Sequence, residues 1–393
     1  MRKGKLVLAQ LSEHLPQAVF GQCVARYAGR YPTLTFSHWS QLLCMIFAQL
    51  TGRASLRDIA VCLASQRAKL YHAGFRGPVA RSTLADANER PGSRIFEDFA
   101  LHLIGIARPL YAHDSWAVEL EQTVYAIDAS TVDLCLSLFD WAPATKGRAG
   151  VKLHTLLDLR GNIPAFIRVT GARVCDVSFL DHLSLEAGSF YVMDRGYVHF
   201  ARLIRFTRCA AFFVVRSKYR LHYRVLHADS SNEALGVLKD EHILLTGKHT
   251  SADYPVMLRR IEFVDAEQGR RITLLTNHFE LAAPVIAQLY KSRWQVELFF
   301  KWIKQNLPIK AFVGTSPNAV KTQIWSAVCT YVLVAIVKKR LGIDASLRAI
   351  LQVLSLTLFE ATPLHELLGQ IDEDEPTHLA TDQIPLFDEI SGQ

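Results

Sequence analysis

Five polar side chains share one face of a helical stretch around residue 297. Tyr290, Arg293, Glu297, Lys301 and Lys304 are spaced 3, 4, 4 and 3 residues apart. At about 100° per residue they fall within roughly 40° of Glu297 on the helical wheel. Leu289, Val296, Leu298, Phe299, Trp302 and Ile303 take much of the rest. Three cations around one carboxylate exceed what charge neutrality requires, and the surplus suits a phosphate backbone held beside a metal. Two more acids end short apolar runs: Asp128 closes Val124–Ile127 and Asp194 closes Phe190–Met193. Open α/β sheets build their sites at strand ends. Carboxylates clustered without Cys or His imply Mg²⁺ or Mn²⁺. Singly, each acid also fits an ordinary role, as a turn cap or, for Glu297, as the i,i+4 partner of Lys301.

The surrounding patterns indicate which elements must carry these groups. Val151–Leu159 and Ile163–Val169 alternate and meet at Gly161-Asn162, a hairpin signature. Leu203, Ile204 and Phe206 give a short helical stripe, and Ala211–Val215 is the next apolar strand. Strands, helix and strand in this order predict a mixed α/β sheet. From Ser217 to Asn277 the chain is strand-like, including His242–Thr246, Val256–Val264 and Arg271–Thr276. One long helix is expected from about Leu281 to Asn306, stopped before Pro308, and another from Ala319 to Leu341. The apolar run Ile324–Val337 is too short to span a bilayer and suits a buried helix.

Residues 1 to about 120 read as helical. Leu42, Leu43, Ile46, Phe47 and Leu50 recur at helical spacing, Ser55 caps the next helix with Asp58 three residues on, and Ser82 is expected to cap Thr83–Arg90. A helix, a turn with Gly74, Gly77 and Pro78, then a short polar helix resembles a helix-turn-helix arrangement. The charge agrees. The 393 residues carry a net +7, but residues 351–393 hold nine acids and no Lys or Arg, which leaves +16 on residues 1–350 (44 bases against 28 acids). A basic body suggests a polyanionic partner. The acidic end reads as disordered. The seven cysteines form no C-x-x-C pair and suit small core residues in a reducing, cytoplasmic compartment. The apolar run after the basic amino terminus stops too soon for a signal peptide. No P-loop, G-x-S-x-G or dinucleotide fingerprint is present, so NTPase, hydrolase-triad and Rossmann readings lack support.

Tyr290-(2)-Arg293-(3)-Glu297-(6)-Lys304 resembles the Y-(2)-R-(3)-E-(6)-K signature of DDE transposases, specifically the bacterial insertion-sequence family numbered four. Asp194-Arg195-Gly196-Tyr197 resembles that family's second-aspartate motif, and Ala126-Ile127-Asp128-Ala129-Ser130-Thr131 its first. The resemblance implies an RNase H-like mixed sheet with flanking helices, interrupted by a β-rich insertion and preceded by a helical DNA-binding region. The implied divisions are a DNA end-binding region at 1–120, a catalytic core at 121–216, the insertion at 217–277, the Glu-bearing end of the core at 278–345 and a helical, acidic tail at 346–393. Asp128, Asp194 and Glu297 would hold two Mg²⁺ ions, with Mn²⁺ able to substitute. Tyr290, Arg293 and Lys304 would grip terminal phosphates around a flipped base, with Lys301 an added phosphate contact outside the signature. The implied activity is cut-and-paste excision and integration: nicking, a hairpin, then strand transfer. The partners are double-stranded DNA, as terminal inverted repeats and target, and a second copy of the chain in the DNA complex. The protein would be nucleoid-associated, with no membrane.

Relatives stack the flipped base on a Trp of the insertion. All six tryptophans here lie outside residues 195–289, leaving Tyr254, Phe263 or His278 as substitutes. Lys152, His154 and Asp158 read as a polar strand face. Asp133 and Asp140 rank below Asp128 because neither ends an apolar strand, and Asp176 and His182 read as capping or surface residues. The rival readings are another RNase H-like nuclease and an inactive DNA-binding repressor derived from a transposase.

Overall fold

The computed structural model describes residues 4–27, 36–89, 92–114, 118, 120–135, 137–144, 149–218, 220–229, 236–265, 269–309 and 312–371. The acidic stretch from residue 372 lies outside them. Seven helices come first: α1 (Val7–Ser12), α2 (Gln17–Tyr27), α3 (His38–Leu50), α4 (Leu56–Ser65), α5 (Arg67–Leu70), α6 (Arg81–Glu89) and α7 (Arg94–Tyr111). Strands β1 (Val124–Leu134), β2 (Ala149–Asp158), β3 (Ile163–Gly171) and β4 (Phe190–Met193) follow. Helix α8 (Phe200–Arg208) then leads to β5 (Phe212–Arg216), β6 (Tyr223–Asp229) and β7 (Val237–Leu245). After α9 (Thr250–Asp253) come β8 (Leu258–Asp265) and β9 (Arg270–Thr276). The chain closes with α10 (Ala283–Ser292), α11 (Trp294–Asn306), α12 (Pro317–Leu341), α13 (Leu347–Thr357) and α14 (Leu364–Gly369).

The nine strands form one sheet in the order β3-β2-β1-β4-β5-β9-β8-β7-β6. Strands β1, β4 and β5 are parallel neighbours, β2 and β3 extend one side antiparallel, and β9, β8, β7 and β6 extend the other. This is the mixed α/β architecture expected of an RNase H-like fold. The β-rich stretch from 217 to 277 is not a separate sheet, because β9 pairs directly with β5.

Local chemistry explains the element ends. Ser37, Ser55, Ser316 and Ser346 each accept a backbone N–H three residues on, capping α3, α4, α12 and α13. Ser82 does not cap. Helix α6 starts at Arg81, one residue earlier, so Ser82 lies inside its first turn. Gly342, at φ 63°, ends α12 in the left-handed conformation. Gly161 and Asn162 both take positive φ, as the hairpin turn requires.

Helix α12 is apolar and long enough to cross a membrane, but nearly all of Ala319–Val337 is buried inside the protein. It packs on α3 and α7 and shares one hydrophobic core with them, the sheet and α11. Tyr111 of α7 donates to the Ala335 carbonyl at 2.8 Å, and Tyr331 to that of Asn162 at 2.9 Å. Cys23, Cys44 and Cys329 are buried as expected, but Cys135, Cys175 and Cys209 are exposed; all seven are free.

The hairpin turn is tied to α7 by shape. A Cβ on Gly161 would stand 2.1 Å from the Tyr111 ring, at a φ of +72°. Gly161→Ala should lower unfolding stability by about 2 kcal/mol or more. Urea unfolding of the variant checks this, and an unchanged midpoint would contradict the contact.

Candidate active site

Asp128 does not end its strand, because pairing with β2 carries β1 on to Leu134, but parallel pairing with β4 still sets two of the acids side by side. Ile127 of β1 pairs with Met193 of β4, so the residues that follow are Asp128 and Asp194. Side chains alternate across a sheet. Ala126 and Val192 face the core shared with α11 and α12, while Ile127 and Met193 face the opposite core. Asp128 and Asp194 therefore return to the side where α11 packs.

Glu297 arrives from that side. Helix α11 buries Val296, Phe299, Phe300 and Ile303, leaving Glu297 half-buried. The single helix expected from Leu281 to Asn306 is two, α10 and α11, divided at Arg293. There the ladder tightens to i→i−3 bonds: Arg293 N–H donates to Tyr290 O, and Val296 N–H to Arg293 O, both at 3.1 Å. The Arg293 guanidinium reaches both acids, with Nη1 3.4 Å from Asp128 Oδ2 and Nη2 2.5 Å from Glu297 Oε1. Its Nε is buried without a partner.

Burial raises the Asp128 pKa to about 6. Arg293 and the Ala129 N–H, which donates to Asp128 Oδ1 at 2.8 Å, pull it down, and Glu297 and Asp194 push it further up. For Arg293, burial works against its charge, but Glu297 and Asp128 outweigh it and raise its pKa. Tyr290 is buried, its phenol pushed up by burial, with Arg293, Asp194 and Arg216 as electrostatic neighbours. Arg293 thus ties Asp128 to Glu297, with Asp194 and Tyr290 as electrostatic neighbours; among the described residues no three Asp, Glu, His or Cys side chains already stand close enough together to hold a metal ion. The other two expected residues lie further along the helix. Lys304 Nζ donates to the Thr131 carbonyl at 2.8 Å. Lys301 is exposed and has no hydrogen bond or ion pair among the described residues.

Several neighbours differ from the sequence reading. Tyr254, Phe263 and His278 are all buried, so none offers a ring to a ligand at the surface. Trp294, next to Arg293, is 52% exposed. It lies at the start of α11, outside the insertion where the resemblance puts such a ring. Lys152, His154 and Asp158 share one face of β2, as expected, but that face is largely buried. His154 is 1% exposed, stacks on Phe179 and shares a hydrogen bond with Thr170 Oγ1, and burial lowers its pKa to about 4. Asp158 caps the Arg160 N–H and pairs with Arg108. Asp176 pairs with Lys152 at 2.8 Å. Tyr197, of the Asp194-Arg195-Gly196-Tyr197 run, is buried with an unpartnered hydroxyl, and Asp128, Asp176 and Asp194 are its acidic neighbours.

Residues 119–333 match the transposase DDE domain. The chain belongs to that family. The match takes in β1, β4 and α11, and with them every candidate site residue. A second match, described as a domain of unknown function (DUF4372), covers residues 3–76. A Sinorhizobium fredii protein named as a transposase is 34% identical over 258 residues, covering 64% of this chain and 70% of its own length. A Geobacillus stearothermophilus protein named as a transposase for an insertion sequence element is 35% identical over 210 residues, covering 53% of this chain and 54% of its own. Among solved structures, a piggyBac transposase synaptic complex with hairpin DNA gives a TM-score of 0.48 at 8% identity, covering 94% of this chain and 84% of that one.

The raised pKa of Asp128 predicts a pH signature. An unfolded Asp titrates near 3.9. A folded pKa above that value means stability is greatest below about pH 4 and is lost as pH rises through about 6. Asp128→Asn cannot ionise. In EDTA its melting temperature should exceed that of the unsubstituted chain at about pH 7.5, with the gap shrinking towards about pH 4.5. A gap independent of pH would contradict the assignment.

Proposed function

We propose that the protein is a DNA transposase that excises and inserts an insertion sequence by phosphoryl transfer at Asp128, Asp194 and Glu297. The observation that carries this reading is their convergence: Asp128 within β1 and Asp194 just past β4 follow paired residues of adjacent parallel strands, and one arginine joins Asp128 to the helix glutamate, all within the DDE domain match.

The donor set fits a hard divalent cation. It is all carboxylate oxygen, and burial makes the bare charge on Asp128 costly, a cost that a nearby cation relieves. Asp128, Asp194 and Glu297 would hold two Mg²⁺, or Mn²⁺ in their place. Bound there, the ions would supply activation of the attacking oxygen and stabilisation of the leaving one.

The chain's own residues position the DNA. Tyr290 and Arg293 sit against the acids and grip the terminal phosphates. Lys304 and exposed Lys301 continue this grip along α11. Trp294 is the ring with the exposure and position to stack a base turned out of the helix, which a hairpin step needs. Double-stranded DNA enters as terminal repeat and then as target. The basic helical region binds the repeat, and two copies of the chain pair so that each acts on the end held by the other.

Asp128→Ala, Asp194→Ala and Glu297→Ala should each lower nicking and strand transfer more than about 1,000-fold while binding to a terminal-repeat duplex survives. Gel assays on labelled element ends measure both. Binding lost in all three would mean that the acids serve folding. Cleavage by the unsubstituted chain without any joined product would favour a nuclease, and neither cleavage nor joining a repressor. Trp294→Ala should slow second-strand cleavage about 10-fold and leave the first nick nearly unchanged. Equal slowing of both would remove Trp294 from the base-stacking role.

A further inference from the structure

We propose that Arg216 is the third member of the row begun by Asp128 and Asp194 and binds a DNA backbone phosphate next to the one being cut; this rests on the transposase reading above. The register carries the argument. Ile127 pairs with Met193, and Met193 pairs with Val215. The residues one step further on are Asp128 within β1, Asp194 just past β4 and Arg216, the last of β5, in one row across three adjacent parallel strands. Val214 faces the core shared with α11, as Ala126 and Val192 do, and Val215 faces the opposite core with Ile127 and Met193. By alternation Arg216 turns to the same side as the two aspartates. Neighbouring strands lie about 4.8 Å apart, so Arg216 stands one strand beyond Asp194 on a continuous floor.

The position is rigid. Arg216 pairs with Leu274 of β9, and the next residue, Ser217, donates its N–H to the Thr273 carbonyl at 2.8 Å. The guanidinium itself is uncommitted. Half-buried Arg216 has no hydrogen bond or ion pair among the described residues. Two arginines of β8, two strands away, do have acidic partners. Arg259 pairs with Asp240 at 2.6 Å, and Arg260 with Glu241 at 2.8 Å and Glu262 at 3.0 Å. A partly desolvated cation without a counter-ion stabilises the fold little and is ready to take an anion. Tyr290 is an electrostatic neighbour of Arg216 as well as of Arg293 and Asp194, which places the cation at the edge of the same site. Lys218, two residues on, does not compete, because its Nζ donates to the Val198 carbonyl at 2.9 Å. A guanidinium in this row meets the phosphodiester chain where it leaves the acids, and its planar fork suits two oxygens of one phosphate.

The test uses the full chain, a terminal-repeat duplex, and Arg216→Gln and Arg216→Lys. With Ca²⁺ present to block cutting, the slope of log affinity against log salt should fall by about 1 for Arg216→Gln and be restored by Arg216→Lys. Affinity at about 150 mM salt should drop about 10-fold for Arg216→Gln. Replacing single phosphates by methylphosphonates should then find one position beside the cut site whose neutralisation weakens the unsubstituted chain and leaves Arg216→Gln unaffected. Mn²⁺ binding and melting temperature should match the unsubstituted chain, which separates phosphate binding from damage to the metal site or the fold. An unchanged salt slope, or methylphosphonate effects that add to Arg216→Gln at every position, would overturn the inference. If the unsubstituted chain neither binds nor cuts the duplex, the transposase reading itself fails, and this inference with it.

Discussion

The guanidinium of Arg293 joins a carboxylate on a strand to a carboxylate on a helix, and the geometry of the site depends on that junction. Asp128 is fixed by β1, the third strand from one edge of the sheet, with β2 on one side and β4 on the other. Glu297 is fixed by α11, which is held by side chains packed on the sheet and on α12 and by the Lys304 bond to Thr131. Like charges so close and so buried repel. A cation between them makes their approach tolerable, and a planar fork of five donors can serve both at once. The same residue marks the division between α10 and α11. Its backbone thus sits at a change in the hydrogen-bond ladder, while its side chain spans the two acids.

Such a site works against stability. Asp128 is held in a place where its charged form is disfavoured even with Arg293 beside it. The surrounding structure offsets this. Helix α12 runs through the centre of a core that includes the amino-terminal helices, the sheet and α11. The helices that precede the sheet are therefore not a loosely tethered module. Tyr111 of α7 bonds to α12, and Arg108 of α7 to a network of Tyr125 in β1, Asp158 at the end of β2 and exposed Glu186. A region proposed to hold one DNA end is packed against the sheet proposed to cut another.

Much of this was legible in the sequence, for identifiable reasons. An apolar run ending on Asp reads as a buried strand with a charged tip, and β4 ends as that pattern requires. Gly161-Asn162 allowed only a tight turn, and α12 was too apolar to be anything but buried. The acids were legible because the cationic stripe around Glu297 has no simple structural purpose. What stayed hidden depends on pairing across the sheet. The burial of His154 and Asp158 follows from Phe179 and Arg108, which approach from distant parts of the chain. The place of Arg216 follows from a register set by β4, and no local spacing encodes it. The division at Arg293 was masked because its residues keep helical dihedrals and helical spacing. Ser82 misled because a good capping residue also lies within the first turn of a helix that starts at Arg81.

The central claim is that Asp128, Asp194 and Glu297 form one cation-binding centre that acts on DNA. The most direct test is an anomalous difference map, at the manganese edge, from crystals of the protein with a terminal-repeat duplex and Mn²⁺. The account predicts manganese among these three carboxylates, with the DNA backbone against it. Manganese bound elsewhere, or DNA seated away from these residues, would contradict it.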